Sequence, residues 1–207
     1  ADREKAFIAI QTAISLQSKA TEAEKDFIRA LSARYNGDIS TDREPLDLAW
    51  ADAMAAYSKK YPNDNTAAAI YAEALMNTMP WNYWSEDGAA KPETEKVINA
   101  LEDVLALEPD HPLALHLYIH ALEASNEPER AEDEADRLLE LVPGAGHLVH
   151  MPSHIYYRIG RYQDAAEANM RAAAVDEAYI AACNAQGFYP AIYYPHNIHF
   201  LWSSATM

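Results

Sequence analysis

One cysteine, Cys183, is all that the 207 residues contain, so neither an internal disulfide nor a Cys/His finger has the thiols it needs. Only six glycines occur, and none sits in a phosphate-cradling loop. No stretch sustains the apolar/polar alternation of a half-buried strand. The longest apolar runs, such as Ala67 to Ala72, fall far short of the ~20 residues that a membrane-spanning helix needs. Basic residues are also scarce, 16 against 32 acidic ones, and the formal charge of −16 repels polyphosphate and anionic lipid. Nucleic-acid binding and membrane insertion are thereby excluded as expectations. Ser153 lies beside His154 but lacks the G-x-S-x-G context of a nucleophile elbow. The acidic clusters Asp42 to Asp47 and Glu127 to Asp136 lack calcium-loop spacing and read as solvated faces.

What is present is enough apolar material, 50% of the residues, to bury a core, in a composition led by alanine, leucine and glutamate. The reading is an all-α, soluble protein whose compartment, cytoplasmic or exported, the sequence leaves open. Ala1 is not an initiator methionine and is not followed by the basic and then apolar order of a secretory signal, so a processed chain or an excerpt is expected. Breakers divide the chain into helices over Arg3 to Ser18, Glu22 to Tyr35, Leu46 to Tyr61, Thr66 to Thr78, Glu93 to Leu107, Leu113 to Ala124, Pro128 to Leu141, His147 to Arg158, Tyr162 to Asp176 and Asn197 to the end. Short connections imply antiparallel neighbours. The longer one, Met79 to Pro92, carries Trp81, Tyr83 and Trp84 and reads as a segment that folds over a groove.

Pro109 and Pro143 stand 34 residues apart, as do Ala131 and Ala165, and Leu138 and Ala172 repeat another apolar position. Thirty-four residues is the period of a helix-turn-helix solenoid. Gly160, Ala165 and Ala172 fall where such a unit needs a tight turn and small residues for close helix crossing. The segments Leu117 to Glu123 with Pro128 to Ala131, and Tyr157-Arg-Ile-Gly160-Arg-Tyr162-Gln-Asp-Ala-Ala166, resemble tetratricopeptide repeats. More narrowly, His116 to His120, His147 to Tyr156 and Pro195 to Leu201 resemble a poorly characterised, largely bacterial branch of that family. The resemblance implies an α-solenoid of antiparallel helix pairs wound as a right-handed superhelix. We expect a single helical-repeat domain over 1–207, with the clearest repeats at 112–145 and 146–179 and a partial repeat at 195–207. Neither end has a polar capping helix, which suggests an excerpt of a longer protein or a unit that stacks end to end.

All eight histidines lie after residue 110. The 34-residue period superposes His116 on His150 and His120 on His154, and each i, i+4 pair shares one helix face. His147-x-x-His150 also resembles His196-x-x-His199, displaced by 49 residues. Because the first helix of each tetratricopeptide pair lines the concave surface, the resemblance implies that these rings converge on a groove. An i, i+4 histidine pair is a chelating geometry for zinc, copper or nickel. The candidate metal ligands are therefore His116, His120, His150, His154 and His199, with His147, His196, Glu73, Trp81, Trp84 and Tyr156 as further ligand-binding residues of the groove. Packing of the rings between helices is the competing reading. Glu73 occupies the place of His120 in a similar segment, and Glu123 lies one turn beyond His120. Either would fix an imidazole tautomer, but an ordinary solvated glutamate is the alternative, more so for Glu123. Pro152 should kink its helix or delay its start.

Three functions follow as expectations. The first is a non-catalytic scaffold that binds a protein or peptide segment, a small ligand or a metal through the histidine groove. The second is a structural subunit that stacks on itself into a filament, driven by Phe200, Leu201 and Trp202. The third is a metal-dependent hydrolase or oxidoreductase built on the same histidines.

Overall fold

The computed structural model describes residues 2–38 and 40–207. Among them every regular element is helical. In order these are α1 (Asp2–Leu16), α2 (Glu22–Ser32), α3 (Arg43–Lys60), α4 (Asn65–Asn77), α5 (Pro92–Leu107), α6 (Pro112–Leu122), α7 (Glu132–Leu141), α8 (Gly146–His150), α9 (Pro152–Arg158), α10 (Tyr162–Cys183) and α11 (Tyr194–Ala205). The protein is all-α and of the tetratricopeptide-like solenoid class expected from the repeat. Helices that are consecutive in sequence pack on one another within each of two compact units, one formed by residues up to Ser85 with Lys91–Val104, the other by Glu86–Ala90 with Leu105–Met207.

Local chemistry sets the helix starts. Thr21 accepts from the Glu24 backbone N–H (3.3 Å) while the Glu24 carboxylate accepts from the Thr21 N–H (2.7 Å), a reciprocal cap on α2. Asp64 accepts from Ala67 N–H at 2.9 Å to start α4. His111 does the same for α6, its Nδ1 accepting from Ala114 N–H at 3.2 Å, which accounts for one buried histidine as a cap. In the first unit α3 meets α2 through Phe27, which lies edge-on to Trp50 and Tyr57, with ring centroids at 6.4 and 5.4 Å.

The second unit carries the repeat. Ala131, Leu138, Ala165 and Ala172, the residues that recur at 34-residue spacing, are all fully buried. Gly160 turns the chain between α9 and α10 with φ +84°, a conformation that favours glycine. Arg161 then ties the pair together, bonding Asp164 (2.6 Å), Glu132 (2.8 Å) and Asp136 (3.0 Å) and covering the Tyr156 ring at 4.2 Å. Pro152 divides the first helix of this pair. It has no N–H to donate, so α8 ends at His150 and α9 begins at Pro152, although Met151 between them keeps helical angles. α10 runs seven residues past the expected end at Asp176, because Glu177 to Cys183 are compatible with a helix until Asn184 adopts a left-handed φ of +45°.

A larger residue at Ala165 has no room at this helix crossing. We predict that Ala165→Leu lowers unfolding free energy by about 1–3 kcal/mol, read from urea denaturation, whereas the same change at exposed positions of α10 leaves it within about 0.5 kcal/mol.

Candidate metal centre

The histidines that converge come from four helices of the second unit: His116 and His120 from α6, His147 and His150 from α8, His154 from α9 and His196 from α11. Among the described residues they form two triads, each with ligand nitrogens within 4.8 Å of one another. One is His116, His120 and His147; the other is His150, His154 and His196. The triads abut: the His147 and His150 rings stack with centroids 6.1 Å apart, and those of His120 and His154 lie 5.9 Å apart.

Hydrogen bonds at the outer edge of the rings fix where their protons sit. Asn169 donates its amide to the Ala165 carbonyl at 2.7 Å, which turns its oxygen toward His150 Nδ1, 2.6 Å away. That oxygen can only accept, so His150 carries its proton on Nδ1. Glu123 lies between the two triads and accepts from His120 Nδ1 at 3.0 Å and from His154 Nδ1. A carboxylate likewise only accepts, so these rings also carry Nδ1 protons. Their Nε2 atoms are left as lone pairs, and those of His150 and His154 face each other.

The inner distances are short. His150 Nε2 stands 2.9 Å from His154 Nε2 and 3.1 Å from His196 Nε2, and His116 Nε2 stands 3.2 Å from His147 Nε2. A tetrahedral zinc or copper ion with bonds of about 2.0–2.1 Å holds its nitrogens about 3.3 Å apart, close to these separations. The triads differ in support. His147 Nδ1 is buried with no hydrogen-bond partner, so without an ion its proton belongs on Nε2, donated to His116. In the triad of His150 both His150 and His154 are committed at Nδ1, which leaves His196 to donate from its Nε2 to His150 Nε2, 3.1 Å away.

Burial sets the charge state. It pulls His116 down to about 3 and His147 to about 4, and lowers His150 well below its usual range, with the neighbouring rings adding to each shift. Burial alone would raise Glu123, but the bonds from His120 and His154 overcome it and hold the carboxylate ionised. His196 is exposed, which opens its triad to solvent along α11.

A second buried carboxylate holds the elements in place. Asp176 accepts from the Tyr189 hydroxyl and from Asn197 Nδ2, both at 2.7 Å, tying α10 to a π-helical turn, Tyr189–Tyr193, and to α11 beside His196. Its Oδ1 presses on the start of α8 so closely that a Cβ on Gly146 would lie 2.0 Å away.

The other candidates are in neither triad. His199 lies beside Trp202, with ring centroids 5.9 Å apart, and is in neither triad. His147 and His150, three residues apart, serve different triads, and His196 and His199 diverge in the same way. Tyr156 is fully buried and donates to Asp136 at 2.7 Å. Glu73 belongs to the first unit, 3.7 Å from Arg34. Trp81, 74% exposed with φ +59°, and Trp84 are also in the first unit. Phe200 packs against His150 and His154, with centroids at 5.3 and 4.8 Å. Residue type alone does not single out Asn169; a polar side chain in the alanine-rich face of α10 is the signal that points to it.

The family comparison matches residues 93–151 to the tetratricopeptide repeat, a stretch that includes His116, His120, His147 and His150. This segment is tetratricopeptide-repeat sequence. No curated protein matches the chain. The repeat accounts for how α6 and α8 come to present histidine at equivalent positions; small turns and alanine crossings of the tetratricopeptide pattern set both helices side by side.

The depressed histidines make acid costly for the folded state. The unfolded chain takes up protons as pH falls through about 6.5, whereas His147 and His116 resist until about 4 and 3. We predict that metal-free protein is most stable above pH 6.5 and loses stability progressively between pH 6.5 and 3, measured as the urea midpoint across that range; a flat profile would contradict the burial assigned to these rings.

Proposed function

We propose that this tetratricopeptide-type protein is a transition-metal-binding scaffold, with His150, His154 and His196 as its tighter site and His116, His120 and His147 as a second. One observation carries the reading. Two Nε2 lone pairs, on the buried His150 and the half-buried His154, oppose each other at 2.9 Å with both Nδ1 protons already committed. A proton on His150 Nε2 would relieve the clash by making a buried imidazolium, and one on His154 Nε2 by making an imidazolium paired with the Glu123 carboxylate. A metal ion resolves it with neutral rings, which is the form that zinc, copper and nickel bind.

The outer bonds from Asn169 and Glu123 orient the ligands in the way that acceptors behind metal-bound histidines generally do, and such acceptors contribute about 10–100-fold in affinity. The exposed side of His196 supplies an entry route. Repeats of this class generally mediate protein–protein contacts, so a partner segment docking beside the loaded site fits the same reading.

Elemental analysis of chelator-treated protein reloaded with zinc or copper tests it. Wild type and His199→Ala should both retain metal near stoichiometry after gel filtration, while His150→Ala loses the tighter equivalent. Metal absent from all three proteins, or lost equally from His199→Ala, would contradict the assignment.

A further inference from the structure

The two triads share more than proximity. Glu123 bonds one ligand of each, His120 and His154, with its two separate oxygens, so one side chain fixes a tautomer in both. His147 and His150 follow each other on α8 but join opposite triads, so a single short helix also spans them. The rings of the two groups approach to about 6 Å, which puts any two bound ions within the range where their charges act on one another strongly.

Charge then discriminates between ions. A histidine binds such a metal through a neutral imidazole, so with both ions bound the fixed charge in contact with the six rings is the carboxylate of Glu123. Coulomb repulsion scales with the product of the charges, so two dications repel about fourfold more than two monocations at the same separation. Two dications bring four positive charges against the one negative charge of Glu123; two monocations bring two. Copper is the imidazole-binding first-row metal with an accessible monovalent state.

We propose that the two triads form one two-ion site selective for copper(I), in which Glu123 is the positioning residue common to both ions. The inference rests on the metal-binding reading above. Replacing Glu123 by glutamine leaves an amide whose oxygen accepts from one ring and whose NH2 cannot accept from the other. Both triads therefore lose orientation through a residue that touches neither ion. Asn169, by contrast, supports His150 alone.

The test is an anaerobic titration of the metal-free full chain with copper(I) against a chromophoric chelator, with zinc(II) run in parallel. Wild type should bind two copper(I) per chain and at most one zinc with comparable tightness. E123Q should weaken both copper equivalents by about 10–100-fold, and N169A only one, with circular dichroism confirming that each variant stays helical. Should E123Q fail to fold, H116A and H196A separate the triads, each retaining one copper equivalent. Two zinc ions bound as tightly as two copper ions would overturn the charge selection. One weakened equivalent in E123Q would overturn the shared positioning. A single copper in wild type would overturn the pair while leaving the metal-binding function intact, and no copper or zinc at all would remove both.

Discussion

An imidazole that donates through Nδ1 has only a lone pair to present at Nε2, and three rings of this protein are committed in that way. His150 is held by the Asn169 oxygen, and His120 and His154 by the two oxygens of Glu123. Once those protons are placed, the inner face of the cluster is a set of converging acceptors in a buried environment. Mutual repulsion across 2.9 Å is tolerable in a fold that supplies a cation there, and costly in one that does not.

The helical repeat supplies the placement at low sequence cost. Fully buried alanines at 131, 165 and 172 let neighbouring helices approach closely, and the 34-residue period returns histidine to equivalent positions on α6 and on α8 with α9. The 34-residue period supplies four of the six ligands, and His147 and His196 lie outside it. His196 arrives on α11, and the Asp176 carboxylate fixes that helix through Asn197 while the π-helical turn is fixed through Tyr189. Phe200 closes over the His150 and His154 rings from the same helix, combining apolar cover with a polar site in the manner of ligand pockets generally.

Much of this was readable beforehand. Periodicity, breakers and capping residues place the helices within a few residues, since they depend on local chemistry: Thr21, Asp64 and Gly160 act where they stand. The 34-residue repeat brings His116, His120, His150 and His154 into view for the same reason. The partition into triads was not legible, because it depends on a rotation of α11 set by Asp176, thirteen residues from Tyr189 and twenty-one from Asn197. That rotation selects His196 and turns His199 toward Trp202. Glu123 reads from sequence as a solvated glutamate; only the arrival of α9 beside α6 gives it a second histidine. Trp81, Trp84 and Glu73 read as groove residues by type; they belong to the first compact unit, and the six converging histidines to the second.

Long-range proton–nitrogen NMR of the histidine side chains in metal-free protein at neutral pH tests the central claim most directly, because it distinguishes the two neutral tautomers ring by ring. The account predicts the Nδ1–H form for His120, His150 and His154, the minority form of free histidine, with their Nε2 atoms unprotonated. Nε2–H tautomers at His150 and His154 would mean that the rings satisfy one another as ordinary packing residues and would contradict it.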